Sequence, residues 1–270
     1  MAKKLAVIGV GNMAGAIVSG IISSNPGIDT IYLFDKNKDQ SLRFANSKFC
    51  IITDDMESAV SAADTVLLAV KPQVYSQVLD EIRSISGFSE KLYISIAAGI
   101  TADTVSAELD GARVVRVLPN LPMTIGLGVS VICKNDKVSS SDFDFICAVF
   151  KSAGSVMLID ESEMNRIIGV TSSSPAYVFK FIDAIYKGAQ AQGLSTDGLI
   201  EAICDVFIGS AQLLKESGET PQTLISRVAS KGGTTERAIA RLESADIEDI
   251  IAHAMIDCTK RADELAHLND

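Results

Sequence analysis

The stretch that decides the fold runs Leu5-Ala6-Val7-Ile8-Gly9-Val10-Gly11-Asn12-Met13-Ala14-Gly15. Residues 5–10 form a short apolar run with β-branched members ending at glycine, which predicts a buried parallel strand. Helix signals follow to about residue 23. Residues 9–14 match G-x-G-x-x-G/A with Ala14 in the third small position. The first glycine makes the turn, the second lets a pyrophosphate approach the backbone, and the third small residue lets helix and strand pack closely. Gly9, Gly11, Asn12 and Met13 are therefore candidate dinucleotide contacts, because the pyrophosphate meets amides at the positive end of the helix. Asp35 closes the next apolar run, about 20 residues on, where an acid accepts hydrogen bonds from an adenosine ribose. A carboxylate there favours NAD, whereas Lys36 and Lys38 offer compensating charge to a 2′-phosphate. NADPH and NADH both stay open as the cofactor, and the two lysines read equally well as a solvated loop.

Working outward, residues 30–34, 51–52, 65–70 and 92–96 read as strands with helical patterns between most of them. Further strands are predicted over residues 113–118, 128–133 and 155–159. Such alternation implies an α/β, doubly wound, Rossmann-type parallel sheet with helices on both faces. From about residue 161 the strand runs stop. Residues 176–192, 196–216 and 247–268 carry helical periodicity, so the organisation expected is a dinucleotide-binding domain over 1–160 and an all-helical domain over 161–270. The apolar mixture around residues 200–214 points to close helix packing, including against another subunit.

Composition bounds the function. The chain has 270 residues, 47% hydrophobic and 21% charged, with 6 prolines, as in globular proteins rather than disordered ones. A formal net charge of −10 opposes a surface built to neutralise phosphate backbones, so nucleic acid is not expected as a partner. Lys3 and Lys4 before the apolar stretch mimic a signal peptide, but the glycine spacing argues for strand, turn and helix, and no targeting or membrane segment is expected. The five cysteines (50, 133, 147, 204, 258) include no C-x-x-C pair. They predict neither a disulfide framework nor a zinc site, read as small buried hydrophobes, and fit a reducing cytoplasm. His253 and His267, the two histidines, lie near the C-terminus and read as exposed or capping residues, which disfavours a histidine-driven dehydrogenase. No G-x-S-x-G or H-E-x-x-H motif appears.

The second chemical feature is Ser230-Lys231-Gly232-Gly233-Thr234-Thr235, which precedes a predicted helix over residues 236–242. Its glycines and first-turn amides make an anion site suited to a substrate carboxylate, with Ser230, Gly232, Gly233, Thr234 and Thr235 as candidate substrate contacts. Read alone, either threonine also serves simply to cap the helix.

Together, several segments resemble the pyrroline-5-carboxylate reductase family over nearly the whole chain. They are GVGNMAGAI (9–17), AVKPQ (69–73), SIAAGI (95–100), RVLPNLP (116–122), SPAY (174–177) and, most specifically, VASKGGTTERAIARLE (228–243). The resemblance implies an NAD(P)H-dependent enzyme that reduces 1-pyrroline-5-carboxylate to L-proline, the last step of proline biosynthesis. It also implies that the helical domain is a dimerisation domain forming a homo-dimer, often assembled into a larger homo-oligomer, with the active site between domains. Ala69, Val70, Lys71, Pro72, Ala97 and Ala98 would border ribose and nicotinamide. Lys71 reads otherwise as an ordinary charge at a strand end. In the family the last threonine of the motif hydrogen-bonds the ring nitrogen, a catalytic role that falls on Thr235.

The sequence departs from the family pattern at Ser172, where glycine is usual, at Leu121, where threonine is common, and at Asp55, where asparagine often stands near the cofactor. These departures bear on local contacts and cofactor preference. Two other readings are a related Rossmann-type imine or hydroxy-acid reductase, which would want a catalytic lysine such as Lys180 or Lys187, and a non-catalytic nucleotide-binding protein. The first leaves the GGTT segment unexplained, and the intact segment argues against the second.

Overall fold

The computed structural model describes residues 3–266. The first half alternates strand and helix: β1 (Lys3–Ile8), α1 (Asn12–Ser24), β2 (Ile28–Phe34), α2 (Lys38–Leu42), β3 (Cys50–Ile52), α3 (Met56–Ala62), β4 (Thr65–Leu68), α4 (Tyr75–Arg83), β5 (Leu92–Ser95), α5 (Ala102–Glu108) and β6 (Arg113–Leu118). Then come β7 (Gly128–Lys134), α6 (Ser140–Lys151) and β8 (Gly154–Leu158). The eight strands form one sheet in the order β3-β2-β1-β4-β5-β6-β7-β8. The chain reverses direction across the sheet between β1 and β4, the place where open α/β sheets bind ligands. The α/β expectation holds, with one difference. β6 and β7 pair antiparallel, because the short connection across residues 119–127 is held in a 3-10 turn (Leu121–Ile125) and carries no crossover helix.

Strand alternation supplies both cores. Leu5, Val7, Leu67, Ile94, Val115 and Val117 face one layer with Ile17, Ile21, Ile146 and Phe150 of α1 and α6. Ala6, Ile8, Val66, Leu68, Tyr93 and Val114 face the other, against Val60, Val78, Ile82 and Val105 of α3, α4 and α5. Both faces of the central strands are apolar, as a doubly covered parallel sheet requires.

After α7 (Met164–Ile167) the chain is helical: α8 (Ser174–Ala191), α9 (Leu199–Ser217), α10 (Pro221–Val228), α11 (Thr234–Glu243) and α12 (Ile247–Ala266). Two compact units result, one of residues up to Ser173 and again from Met255, the other of Ser174–Ala254. α12 thus starts in the second unit and ends in the first, where Ala262 is buried with Leu118, Val131, Cys133, Met164 and Ile168. Among the described residues of the second unit, α8, α10 and α11 bury none and α9 buries Ile203. Phe179, Val206, Ile208, Leu213 and Ile250 stand exposed there. No helix among the described residues is long and apolar enough to cross a membrane.

One polar network lies on the opposite face of the sheet from Val115 and Val117. Arg116, 1% exposed, lies on the face of β6 shared with Val114 and Leu118. Its Nη1 donates to Glu161 Oε1 at 2.6 Å and its Nη2 to Asn165 Oδ1 at 2.8 Å. Asn165 Nδ2 in turn donates to Asp263 Oδ1 at 2.8 Å, and Cys133 Sγ donates to Glu161 Oε2 at 2.9 Å. Arg116 Nε is buried with no hydrogen-bond partner among the described residues. Burial, then the adjacent Glu161 carboxylate, push the Cys133 thiol far above its ordinary value.

Candidate active site

The glycine turn between β1 and α1 is forced open by backbone geometry. Gly9 has φ +88°, and a Cβ on it would stand 2.9 Å from Ala69 O, so no other residue fits there without strain. Gly11, the N-cap of α1, has an ordinary φ of −67° and no side-chain capping bond. A Cβ on Gly11 would meet nothing within 4 Å. The fold itself does not demand glycine at 11. Open space at a helix N-terminus with unpaired first-turn amides is what a close-lying pyrophosphate needs.

A cleft of about 300 Å³ opens beside this turn. Gly9, Gly11, Asp35, Lys36, Ala69, Val70 and Lys71 line it together, although they come from the ends of β1, β2 and β4. Its apolar wall is Phe34, Met56, Val74 and Val78, which motif reading missed, because Phe34 ends β2 and the others sit on a 3-10 turn and on helices with no motif of their own. Asn12 and Met13 open α1, and Pro72 opens a 3-10 turn (Pro72–Val74). Ala97 is buried in the core beside Tyr75, and Ala98 packs against the Leu118 and Cys133 cluster, so neither lines the cleft.

Asp35 is already engaged. Its Oδ2 accepts from Val10 N–H at 2.6 Å and its Oδ1 from Asn37 N–H at 2.8 Å, leaving further lone pairs for a ribose hydroxyl. Of the two following lysines, Lys38 is tied to Asp54 at 2.6 Å, while Lys36 stays exposed on the cleft. Asp55 caps α3 by accepting from Ser58 N–H at 2.6 Å, and hydrogen bonding from the Ser58 side chain, then from its N–H, holds the carboxyl below the usual range. Arg43, which pattern reading passed over, donates from Nη2 to Val10 O at 2.6 Å and from Nε to Gln40 O at 3.0 Å.

In the second unit the GGTT segment forms a tight turn into α11. Gly232 has φ +76° and its N–H donates to Glu236 Oε2 at 2.7 Å. A Cβ on Gly233 would lie 2.6 Å from Ser230 Oγ. Gly233 is the N-cap, and no side chain caps it. Thr234 and Thr235 stand inside the first turn, so the capping alternative for either threonine fails. Thr235 lines a hollow of about 340 Å³ with Ser210, Leu214, Leu224, Val228 and Ile239 among its walls. His253 is exposed on α12 beside Asp249, Lys187 is exposed and paired with Asp183, and His267 lies outside the described residues.

The pyrroline-5-carboxylate reductase of Escherichia coli K12 is 33% identical to this chain over 271 aligned residues, which cover 98% of this chain and 99% of that enzyme. The chain belongs to the pyrroline-5-carboxylate reductase family. Consistently, residues 161–265 match the family model described as pyrroline-5-carboxylate reductase dimerisation, and residues 4–99 match the one described as NADP oxidoreductase coenzyme F420-dependent. The Coxiella burnetii pyrroline-5-carboxylate reductase has the same fold, with a TM-score of 0.87, 29% identity, and coverage of 98% of this chain and 99% of that one. The Plasmodium falciparum pyrroline carboxylate reductase with NADP bound shares the fold at a TM-score of 0.86 and 24% identity, over 98% of each chain. As a reductase of this family, the chain has its dinucleotide signature in the first unit and its most family-specific segment in the second.

Proposed function

We propose that this chain reduces 1-pyrroline-5-carboxylate to L-proline with NADPH or NADH as the donor. Full-length relationship to pyrroline-5-carboxylate reductases carries the reading, and the cleft at Gly9 and Gly11 supports it. The proposed cofactor contacts are Gly9, Gly11, Asn12 and Met13 at the pyrophosphate, Asp35 and Lys36 at the adenosine ribose, and residues 69–72 along the cleft, with Ala97 and Ala98, which do not line it, proposed to meet the nicotinamide end beyond it. When bound, the reduced nicotinamide supplies a hydride.

The chain's own residues then have a task of binding and orientation. A protonated cyclic C=N is already electrophilic, so the chemistry demands placement more than a strong acid or base. Glu236 occupies the Gly232 N–H, which leaves the amides of Thr234 and Thr235 at the N-terminus of α11 for the substrate carboxylate, with Ser230 and Gly233 shaping the turn. The Thr235 hydroxyl meets the ring nitrogen and both donates and accepts as iminium becomes amine.

The helical domain from residue 161 to 270 is proposed to build a homo-dimer through the exposed apolar faces of α8 and α9, with further assembly into a larger ring, in the cytoplasm. The deciding experiment follows NADPH and NADH fluorescence with pyrroline-5-carboxylate and with a panel of keto acids. Turnover only with the keto acids, or with none, overturns the proposal.

A further inference from the structure

Val10 is gripped through both of its flanking peptide groups. Its N–H donates to Asp35 Oδ2 at 2.6 Å, and its carbonyl accepts from Arg43 Nη2 at 2.6 Å. The same guanidinium nitrogen lies 3.5 Å from the carbonyl oxygen of Gly11. Both carbonyls belong to the turn whose next N–H groups open α1. The N–H lies in the Gly9–Val10 peptide plane and the C=O in the Val10–Gly11 plane, each of them rigid, so the two bonds orient successive planes of the turn, and the grip on the Val10 C=O sets the direction of the Gly11 N–H at the entry to α1.

Gly15 shows that the fold makes room for this arginine. The residue is buried in α1, and a Cβ on it would come 3.0 Å from Arg43 Nη2, with Arg43 Cζ and Nη1 the next nearest atoms. Ala14 already fills the third small position of the motif, so helix and strand packing does not account for glycine at 15. Its missing Cβ admits the guanidinium. Two positions 28 residues apart in sequence thus form one device.

We infer that Arg43 is a positioning residue of the dinucleotide site: it sets the glycine turn by holding the Val10 carbonyl, and so acts on the pyrophosphate shared by NADH and NADPH rather than on the 2′-phosphate. The inference rests on the cleft being the dinucleotide site. Arg43 reaches the ligand through the turn, so its loss weakens binding of both cofactors alike and spares the chemical step.

The test uses the full chain and direct titration of NADH and NADPH fluorescence, with steady-state kinetics alongside. Arg43→Met keeps much of the stem and removes the donors; it is expected to raise both dissociation constants by about tenfold and to leave kcat at saturating cofactor within about twofold. Arg43→Lys keeps one cationic donor and recovers part of the affinity. Gly15→Ala is the control for folding, because alanine favours a helix interior while its methyl crowds the guanidinium. It is expected to weaken both cofactors with an unchanged or higher melting temperature.

Wild-type affinity in Arg43→Met overturns the inference, as does a loss confined to NADPH, which would make Arg43 a 2′-phosphate contact. A wild-type chain that binds neither dinucleotide overturns the site itself and the inference with it.

Discussion

The Asp35 carboxylate accepts a 2.6 Å hydrogen bond from the main-chain N–H of Val10, so the end of β2 holds the turn that closes β1. The acid braces the turn, and the proposed contact with the adenosine ribose is a second task that substitution can separate from the first.

Asp35→Asn removes the charge but keeps an amide oxygen for the Val10 N–H. The KM for NADPH is expected to fall relative to that for NADH, because a carboxylate repels a 2′-phosphate. Asp35→Ala strips the acceptor and should raise both. Steady-state kinetics with each cofactor read the ratio, and an unchanged ratio in the asparagine variant means that the carboxylate does not face the ribose.

The two glycines of the turn should fail in different ways. Gly9→Ala places a side chain at positive φ against Ala69 O and is expected to cost about 2 kcal/mol of stability or more. Gly11→Ala meets no atom, so its cost should stay within about 1 kcal/mol while dinucleotide affinity drops by about tenfold or more. Denaturant melts paired with cofactor titration separate them; an alanine at 11 that binds normally would leave the open space without a ligand.

Thr235→Ala is expected to lower kcat/KM for pyrroline-5-carboxylate by roughly ten- to several-hundred-fold, the scale of one hydrogen bond to a charged group at about 1.5–3 kcal/mol. Thr235→Ser should retain much more. Because Gly233 is the N-cap, the melting temperature of the alanine variant should hold. Wild-type kcat/KM in that variant removes Thr235 from the mechanism.

Glu161→Ala strands the Arg116 cation in the core and is expected to destabilise the fold by about 3 kcal/mol. Arg116→Met removes the buried charge itself and leaves Glu161, 29% exposed at its side chain, with access to water; its cost should be smaller. Urea unfolding of the two variants decides, and the reverse order would mean that the pair contributes through packing alone.

Alkali should unfold the protein through the groups that burial keeps neutral. Tyr75, Tyr93 and Cys133 all have their ionisation pushed upward, chiefly by desolvation. In the unfolded chain the thiol loses its proton near 9.0 and the phenols near 10.0, while the folded chain keeps them. The stabilisation is complete below those values and is lost as pH rises above about 9. Cys133→Ala should flatten the early part of that decline in unfolding midpoint against pH; a midpoint unchanged up to pH 11 in the wild type would contradict the burial argument.

Much of this was legible in the sequence, for particular reasons. The strands stood out because both faces of β1 and β4 are buried, which makes continuous apolar runs such as residues 5–8 and 66–68. Strand direction did not: a periodicity carries no sense of direction, and only the short stretch of residues 119–127, with no room for a crossover helix, signalled that β7 runs back beside β6. The helical stretch of α10 went unread because Pro221 and the short, mixed run after it look like a connection. Asp35 and the GGTT turn could be singled out from the sequence because their chemistry is local. Arg43 was not, since on its own segment it resembles any solvated arginine and its partners lie on a distant turn. Arg116 had one visible sign, a cation inside the apolar run VVRVL of residues 114–118, but its partners Glu161 and Asn165 are close only in space.

The return of α12 to the first unit has a consequence for synthesis. The ribosome releases Met255 onward only after the whole of Ser174–Ala254 has emerged, so Leu118, Val131, Met164 and Ile168 wait for Ala262, and Asn165 for Asp263, while the intervening helices are being made. The nucleotide-binding half, although translated first, is completed last. A premature stop before α12 would leave that apolar patch without Ala262 to cover it.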